Sequence, residues 1–336
     1  MRGLIDPPRG PWAPVWIVGL VLAGTVLGWI EYSVRALGHA PGMGSRTALW
    51  CHHRQRLEGG GPDQVVVLGG SRLQLGFNLR VFREELPHLE PVQLALAGTC
   101  PAAALEDLAE DESFRGTVLC SGNARMFQPT HLHDQAPLVE HYRKSWGPGE
   151  DLGLLLAAPF QLNLALLQPH LSAPIVIPTL LRGERPGVNY VTTQFDRQRI
   201  ADYSKVDLER VIEGRMRTLR AEFKRTTPTS PEQWKKITGR VASHAQRIEE
   251  RGGRVVFLHL PTRGRYAQIE AEVHPSREFW EVFKRDVGAL TLHSSEMPGN
   301  ESLILSDESH LDYESGERYT RWIARELVAR GVVPAP

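Results

Sequence analysis

This chain of 336 residues has few cysteines, no net charge and no internal repeat. Three cysteines are too few for a disulfide scaffold. Basic and acidic residues number 39 each, so the chain lacks the positive excess of a globally basic nucleic-acid binder. No internal repeat, heptad array or low-complexity tract occurs, which argues against a solenoid or a coiled coil. A hydrophobic fraction of 41% is enough for one large globular domain or two ordinary ones.

The N-terminal region contains a long uncharged apolar stretch that we interpret as membrane-directed. No charged residue lies between Arg9 and Glu31, and tryptophans occur near both ends of this stretch. Its length suits a helix crossing a hydrocarbon layer of about 30 Å. We therefore predict a short segment 1–9 and a transmembrane anchor over 10–31. A cleaved signal peptide is disfavoured because no small-residue cleavage site precedes Glu31, and a buried core helix is the other alternative.

The orientation of this anchor rests on few charges. Arg2 and Arg9 precede it, and Arg35 and Arg46 follow it. Together with the amino terminus, this nearly even distribution favours a cytoplasmic N-terminus by the positive-inside rule. The large C-terminal part is then expected outside the cytoplasm.

The remainder divides into a predicted linker over 32–62, which ends in a Gly-Gly-Gly-Pro sequence, and a domain over 63–332. Short β-branched runs alternate with amphipathic segments in this domain, a pattern typical of a parallel α/β sheet with helices on both faces. Ligands of such sheets bind beyond the carboxyl ends of the strands. The predicted strands cover 64–68, 92–96, 117–120 and 255–260, and the predicted helices cover 79–86, 102–109, 231–251 and 314–330.

A mostly helical insertion is predicted over about 128–250. Residues 152–167 are apolar, but Pro159, Gln161 and Asn163 interrupt them, which favours two packed or interfacial helices over a second membrane span. Residues 182–203 show no clear period and are expected to be irregular.

Ser71 directly follows the first predicted strand, in Leu68-Gly69-Gly70-Ser71. A glycine turn here places the hydroxyl at a strand end, next to the N–H groups that open the following helix. The alternative is a helix-capping serine, whose oxygen satisfies those N–H groups.

A second motif lies near the C-terminus, where Asp307 precedes His310 by three residues. A carboxylate at this spacing can orient an imidazole, which then acts as a general base toward a hydroxyl. The alternative interpretation is a surface turn.

These blocks together resemble the SGNH (GDSL-like) hydrolase superfamily, and most closely its membrane-anchored bacterial branch related to envelope polysaccharide acylation proteins. Ser71 matches the nucleophile of the first block, Asp307 and His310 match the last block, Gly98 matches the glycine after strand two, and Asn123 matches the asparagine after strand three. The resemblance implies a three-layer flavodoxin-like sheet and a location in the inner (cytoplasmic) membrane, with the catalytic domain periplasmic or extracytoplasmic.

The same resemblance implies a serine esterase or O-acyltransferase that uses Ser71, His310 and Asp307, with an oxyanion hole from the Ser71 N–H, the Gly98 N–H and the Asn123 amide. The implied substrates are acyl esters of envelope carbohydrate, acetyl esters above all. No cofactor or metal is required, and envelope assembly proteins are expected partners.

Two departures from the family motifs motivate an alternative function. Gly70 stands where many members have aspartate, and Ser121 and Ala124 replace the glycine and aspartate of the third block. The alternative is a catalytically silent module that binds glycan or scaffolds an envelope assembly complex.

Two further groups of residues carry side chains suited to a binding site. Arg72 and Arg263 follow strands and are candidates for substrate binding, with surface solvation as the alternative for each. His131, His133, Asp134 and His141 have the chemistry of metal ligands but complete no zinc-hydrolase pattern, so no metal site is predicted.

Overall fold

A computed structural model describes residues 12–44, 46–184 and 186–336, so the predicted segment 1–9 lies outside the described residues. Its centre is a five-stranded parallel sheet in the order β2-β1-β3-β6-β7. The helices and strands are α1 (Trp12–Ala36), α2 (Arg46–Gln55), β1 (Gln64–Leu68), α3 (Ser71–Gly76), α4 (Leu79–Glu85), β2 (Glu90–Gln93), α5 (Ala102–Glu110), β3 (Thr117–Ser121), α6 (Ala136–Lys144), α7 (Pro148–Asn163), α8 (Ala173–Leu181), β4 (Val191–Thr193), β5 (Arg199–Ala201), α9 (Leu208–Arg225), α10 (Pro231–Glu250), β6 (Arg254–His259), α11 (Gly264–Val273), α12 (Trp280–Asp286), β7 (Leu290–His293) and α13 (Tyr313–Ala329).

The sheet carries a helical layer on each face. Apolar side chains of α2, α5, α10 and α12 pack on one face, and those of α3, α4 and α13 pack on the other. The β-branched run Val65, Val66 and Val67 is fully buried between the two layers, as expected of a central parallel strand. The predicted α/β class is confirmed, and the strand order is that of a flavodoxin-like sheet.

The strand order determines where a ligand meets the sheet. The chain passes from β1 outward to β2 and then returns to β3 on the other side of β1. The order therefore reverses between β1 and β3, and a crevice opens at their carboxyl ends.

Helix α1 extends five residues beyond the predicted anchor. It contains 25 residues, has a mean hydropathy of 2.0 over its most apolar window, and buries none of that window. Within the described residues, this helix alone is long and apolar enough to cross a membrane; a signal sequence near an N-terminus has the same properties.

The segment predicted as a linker over 32–62 is largely structured. It contains α2, whose Leu49, Trp50 and Cys51 are buried. The Trp50 indole N–H donates to the carbonyl of Leu94, and Arg54 forms a buried ion pair with Asp107. The linker was predicted from the glycines at the end of this segment, whereas α2 is an amphipathic helix of only ten residues and gives a weak sequence signal.

The insertion is shorter than the predicted 128–250 because α10 belongs to the layers that cover the sheet. Trp234, Val241 and Ile248 of this helix are buried in the core. The inserted elements are therefore α6 to α9 with the two-stranded antiparallel β4–β5 sheet, which occupies part of the region expected to be irregular. Fully buried Arg197 attaches this sheet to the domain by donating to the carbonyls of Gln93 and Ala95.

Candidate active site

Ser71, His310 and Asp307 form a continuous hydrogen-bonded chain at the carboxyl end of β1. His310 Nε2 lies 2.8 Å from Ser71 Oγ, although the two residues are 239 positions apart in sequence. On the other side of the ring, His310 Nδ1 lies 2.9 Å from Asp307 Oδ2. Because the carboxylate accepts from Nδ1–H, Nε2 is left to accept the serine proton. The arrangement matches that of a nucleophile, a general base and an orienting carboxylate.

The local fold explains why Ser71 is available for this contact. Gly70 is the N-cap residue of α3, and Ser71 is the first helical residue. No side-chain capping bond closes the start of α3, so the Ser71 hydroxyl is directed to His310 instead of serving as a cap. The capping interpretation of Ser71 is therefore not the observed geometry.

The Gly69-Gly70 turn is tightly packed. A Cβ on Gly69 would lie 2.2 Å from Ser121 Oγ. A Cβ on Gly70 would lie 2.5 Å from Met126 Cε, the end of a flexible side chain that would have to move to admit a larger residue. The residues at the two departures, Gly70 and Ser121, therefore both lie at this turn.

Asp307 is completely buried and receives donors from several directions. Its Oδ2 accepts from Tyr203 OH at 2.9 Å and lies 2.7 Å from Arg215 Nη2. Its Oδ1 accepts the main-chain N–H of Ser309 at 3.1 Å and that of His310 at 2.8 Å. Burial opposes ionisation, but His310, Arg215 and Tyr203 together hold the pKa of Asp307 well below its usual range. The carboxylate therefore remains charged at neutral pH.

The His310 ring is buried, and its pKa is shifted downward. Desolvation is the main cause, Asp307 opposes it, and the charges of Arg215 and Arg72 add to it. The ring is consequently neutral at neutral pH, which is the state a general base requires.

Ser71, Gly98 and Asn123 all line the same cavity. The predicted oxyanion donors are the N–H of Ser71, the N–H of Gly98 and the side-chain amide of Asn123. Asn123 Oδ1 accepts the Met126 N–H at 2.8 Å, which leaves the amide N–H groups for another acceptor. Over 12–44, 46–184 and 186–336, none of these three donors has an intramolecular acceptor. Gly98 has φ +77°, a left-handed conformation that favours glycine.

The cavity is open to solvent, and three arginines line it: Arg72, Arg125 and Arg215. Arg72 is held by Glu270 at 2.6 Å, and its guanidinium lies 4.9 Å from the centre of the Tyr266 ring. Arg263, the other arginine predicted to bind substrate, does not line this cavity. Its guanidinium donates to the carbonyls of Thr262 and Asn300 instead.

Arg125, another arginine of this cavity, was not predicted from the sequence. It forms a two-point ion pair with Glu222, at 3.0 and 2.6 Å, and donates to Tyr266 OH at 2.8 Å. Although burial opposes it, His131 and Arg125 lower the pKa of Glu222 to about 2. Glu222 belongs to α9 of the insertion, so the insertion forms one wall of the site.

The histidines with metal-ligand chemistry do not converge. His131 pairs with Asp134 and Glu222, whereas His141 faces Glu150. In the part of the chain that the structure describes, no three or more His, Cys, Asp or Glu side chains are grouped as metal ligands. The three cysteines are buried and free.

Sequence reasoning missed Tyr203, Arg215 and Glu222 because all three lie in the insertion, where no family motif was recognised. Tyr203 follows the β4–β5 sheet, and Arg215 and Glu222 lie seven residues apart on α9, two helical turns, so that both face the site. The sequence signal for these two residues was their seven-residue spacing on a charged amphipathic helix. The same spacing occurs on any solvent-exposed helix face, so it does not indicate a site.

No family model matches the chain, and the sequence matches no curated protein. Among solved structures, that of TesA is similar at 13% sequence identity, with 80% of this chain and 99% of that chain covered and a TM-score of 0.36. Function is therefore inferred from the geometry of the site.

Proposed function

We propose that the protein is a serine esterase or O-acyltransferase that works through an acyl-enzyme on Ser71. The observation that carries this proposal is the 2.8 Å contact of Ser71 Oγ with a buried imidazole whose other nitrogen contacts the Asp307 carboxylate. In the proposed first step, His310 removes the Ser71 proton as Oγ attacks the ester carbonyl, and the carbonyl π electrons move onto its oxygen. Collapse of this intermediate breaks the bond to the leaving alkoxide, which takes the proton from His310.

The oxyanion of that intermediate would be stabilised by the donors of Ser71, Gly98 and Asn123. Their lack of intramolecular acceptors supports this assignment, because unpaired donors around a reacting atom are ready to bind developing charge. Water or a sugar hydroxyl then attacks the acyl-enzyme, with His310 again accepting and returning a proton. Hydrolysis and transfer share every step up to the acyl-enzyme and differ only in whether water or a sugar hydroxyl attacks it.

The proposed substrates are short acyl esters, acetyl above all, on cell-envelope carbohydrate. This part rests on the sequence resemblance and on the polar side chains in the walls of the site, among them Arg72, Thr99, Asn123 and Arg125. We also propose that α1 is an uncleaved single-pass anchor in the inner membrane and that the domain lies outside the cytoplasm, where such esters occur.

The test uses the full-length chain in detergent with p-nitrophenyl acetate as the acyl donor. We expect hydrolysis by the parent chain and a loss of at least about 10³-fold in Ser71→Ala, because only the nucleophile is removed. Ser113→Ala is the matched control, since that hydroxyl is exposed and donates to Asp111 at the surface. Equal rates for the parent and Ser71→Ala would refute the proposal and favour a silent binding module.

A further inference from the structure

Helices α7 and α8 direct large apolar side chains to the surface. On α7, Leu152, Leu155, Leu156 and Phe160 are exposed at positions that share one helix face, while Leu154 on the opposite face is buried. On α8 no side chain is buried. We call the following exposed set the apolar shelf: Leu152, Leu155, Leu156, Phe160, Ile175, Ile177, Leu180 and Leu181.

The chain around the shelf is free of charge. No Asp, Glu, Lys or Arg occurs between Asp151 and Arg182. Leu156 is 64% exposed and Leu181 is 82% exposed. A water-facing surface normally carries charged residues among its apolar ones, so an uncharged set of exposed apolar side chains marks a surface that contacts an apolar partner.

The shelf adjoins the point where α1 reaches the domain. Glu31, near the end of α1, accepts the N–H groups of Ala165 and Leu166, each at 2.9 Å. One turn later, Arg35 donates to the carbonyl of Asn163, the last residue of α7, at 2.6 Å. At 1.5 Å per helical residue, the exposed face of α7 begins at Phe160, about one turn from Asn163, and extends for roughly 12 Å to Leu152.

The connection between α1 and the shelf is held by several hydrogen bonds. The Gly42 N–H donates to the carbonyl of Gln161 at 3.1 Å, and Gln168 Nε2 donates to the carbonyl of Gly42 at 2.6 Å. The rings of His39 and His170 are also in contact, at 3.0 Å. These bonds join the segment after α1 to the end of α7 and to the turn that precedes α8.

We propose that the apolar shelf lies in the interfacial layer of the bilayer leaflet from which α1 emerges, so that lipid acyl chains cover it. This inference rests on the proposed anchor and is independent of the proposed chemistry. With sixteen and nine residues, and with a proline inside each, α7 and α8 are too short to span a bilayer, which takes about 20 residues. They instead lie in the plane of the interface, as amphipathic helices do. The catalytic domain is then seated against the membrane at a fixed height and orientation.

The experiment places a fluorophore at single introduced cysteines in the full-length chain, reconstituted at one copy per nanodisc. Leu156→Cys and Ile177→Cys report on the shelf, Leu22→Cys reports on α1, and Arg325→Cys on α13 is the control. Because the native cysteines are buried, the parent chain provides the labelling blank. Quenchers are phospholipids brominated on their acyl chains and, separately, aqueous iodide.

We expect brominated lipid to quench the probes at 156, 177 and 22 at least about threefold more than the probe at 325, and iodide to give the reverse order. Probes at 156 and 177 that respond to iodide like the one at 325 would overturn the inference, since the shelf would then face water. Protection from both quenchers would overturn it as well, since protein would then cover the shelf. A probe at 22 that lipid does not quench would refute the anchor and the shelf together. Ser71 activity, measured on the same samples, reports separately on the proposed function.

Discussion

Replacing Asp307 by asparagine tests the proposed division of roles most sharply. One carboxylate oxygen accepts two main-chain N–H groups, from Ser309 and His310, and the other faces His310 Nδ1, Tyr203 and Arg215. Asparagine keeps only one acceptor oxygen. In either orientation of its amide, the new NH₂ group is therefore directed at donors.

The cost of this substitution follows from the donors that lose an acceptor. At least two are left unsatisfied, each costing about 1–3 kcal/mol when buried, so we expect a loss of about 2–6 kcal/mol in the free energy of unfolding. The amide also favours the wrong histidine tautomer whenever its NH₂ faces Nδ1. The equivalent change in a serine-protease triad lowers kcat by about 10⁴, and we expect about 10³–10⁴ here.

The assay combines p-nitrophenyl acetate hydrolysis with denaturant unfolding of the full-length chain. Asp312→Asn is the matched control, because Asp312 caps α13 through the Ser315 N–H and asparagine caps equally well. We expect the control to stay within about twofold of the parent rate, which corresponds to only a few tenths of a kcal/mol. An Asp307→Asn chain that is folded and retains a tenth or more of the parent activity would refute the reasoning.

Four further outcomes are expected. Because burial lowers the pKa of His310, kcat/KM should stay high as pH falls and decline only below pH 6.5, as a pH-rate profile would show. Arg215→Gln removes a charge that adds to this shift, so the acid limb should move to higher pH, whereas Arg215→Lys should leave it in place. Asn123→Asp keeps the acceptor for the Met126 N–H but loses the amide donor. Turnover should therefore fall by about 10²–10³-fold while thermal stability changes little, and unchanged turnover would show that Asn123 does not belong to the oxyanion hole. Arg54→Ala breaks a buried ion pair and should lower the free energy of unfolding by about 3–5 kcal/mol. Arg80→Ala, which breaks an ion pair at the surface, should lower it by about 1 kcal/mol or less, and denaturant titration measures both.

The α/β class was predictable because its signals are local. Three consecutive valines between glycines predict a buried strand, and the structure places them at 0% exposure in β1. The amphipathic run over 231–251 predicts a helix, which the structure contains as α10 from Pro231 to Glu250. The short edge strand β7 went unrecognised because four residues, two of them only partly buried, show too little pattern.

The contact between Ser71 and His310 depends on topology, which composition and periodicity do not reveal. It was anticipated only because a family resemblance supplied the order of the blocks. The contacts of Tyr203 and Arg215 with Asp307 could not be anticipated in this way, because the packing of the insertion alone brings those side chains to the carboxylate. Arg263 shows the converse, since it lies after a strand as predicted but bonds to main-chain carbonyls away from the cavity.

The most direct measurement of the central claim is covalent labelling of the full-length chain with a fluorophosphonate, followed by peptide mass spectrometry. We predict a single modified residue, Ser71, no labelling in Ser71→Ala, and labelling slowed by at least about 10³-fold in His310→Ala. Labelling of Ser71 at the same rate with and without the His310 imidazole, or no labelling of the folded parent chain, would contradict the account.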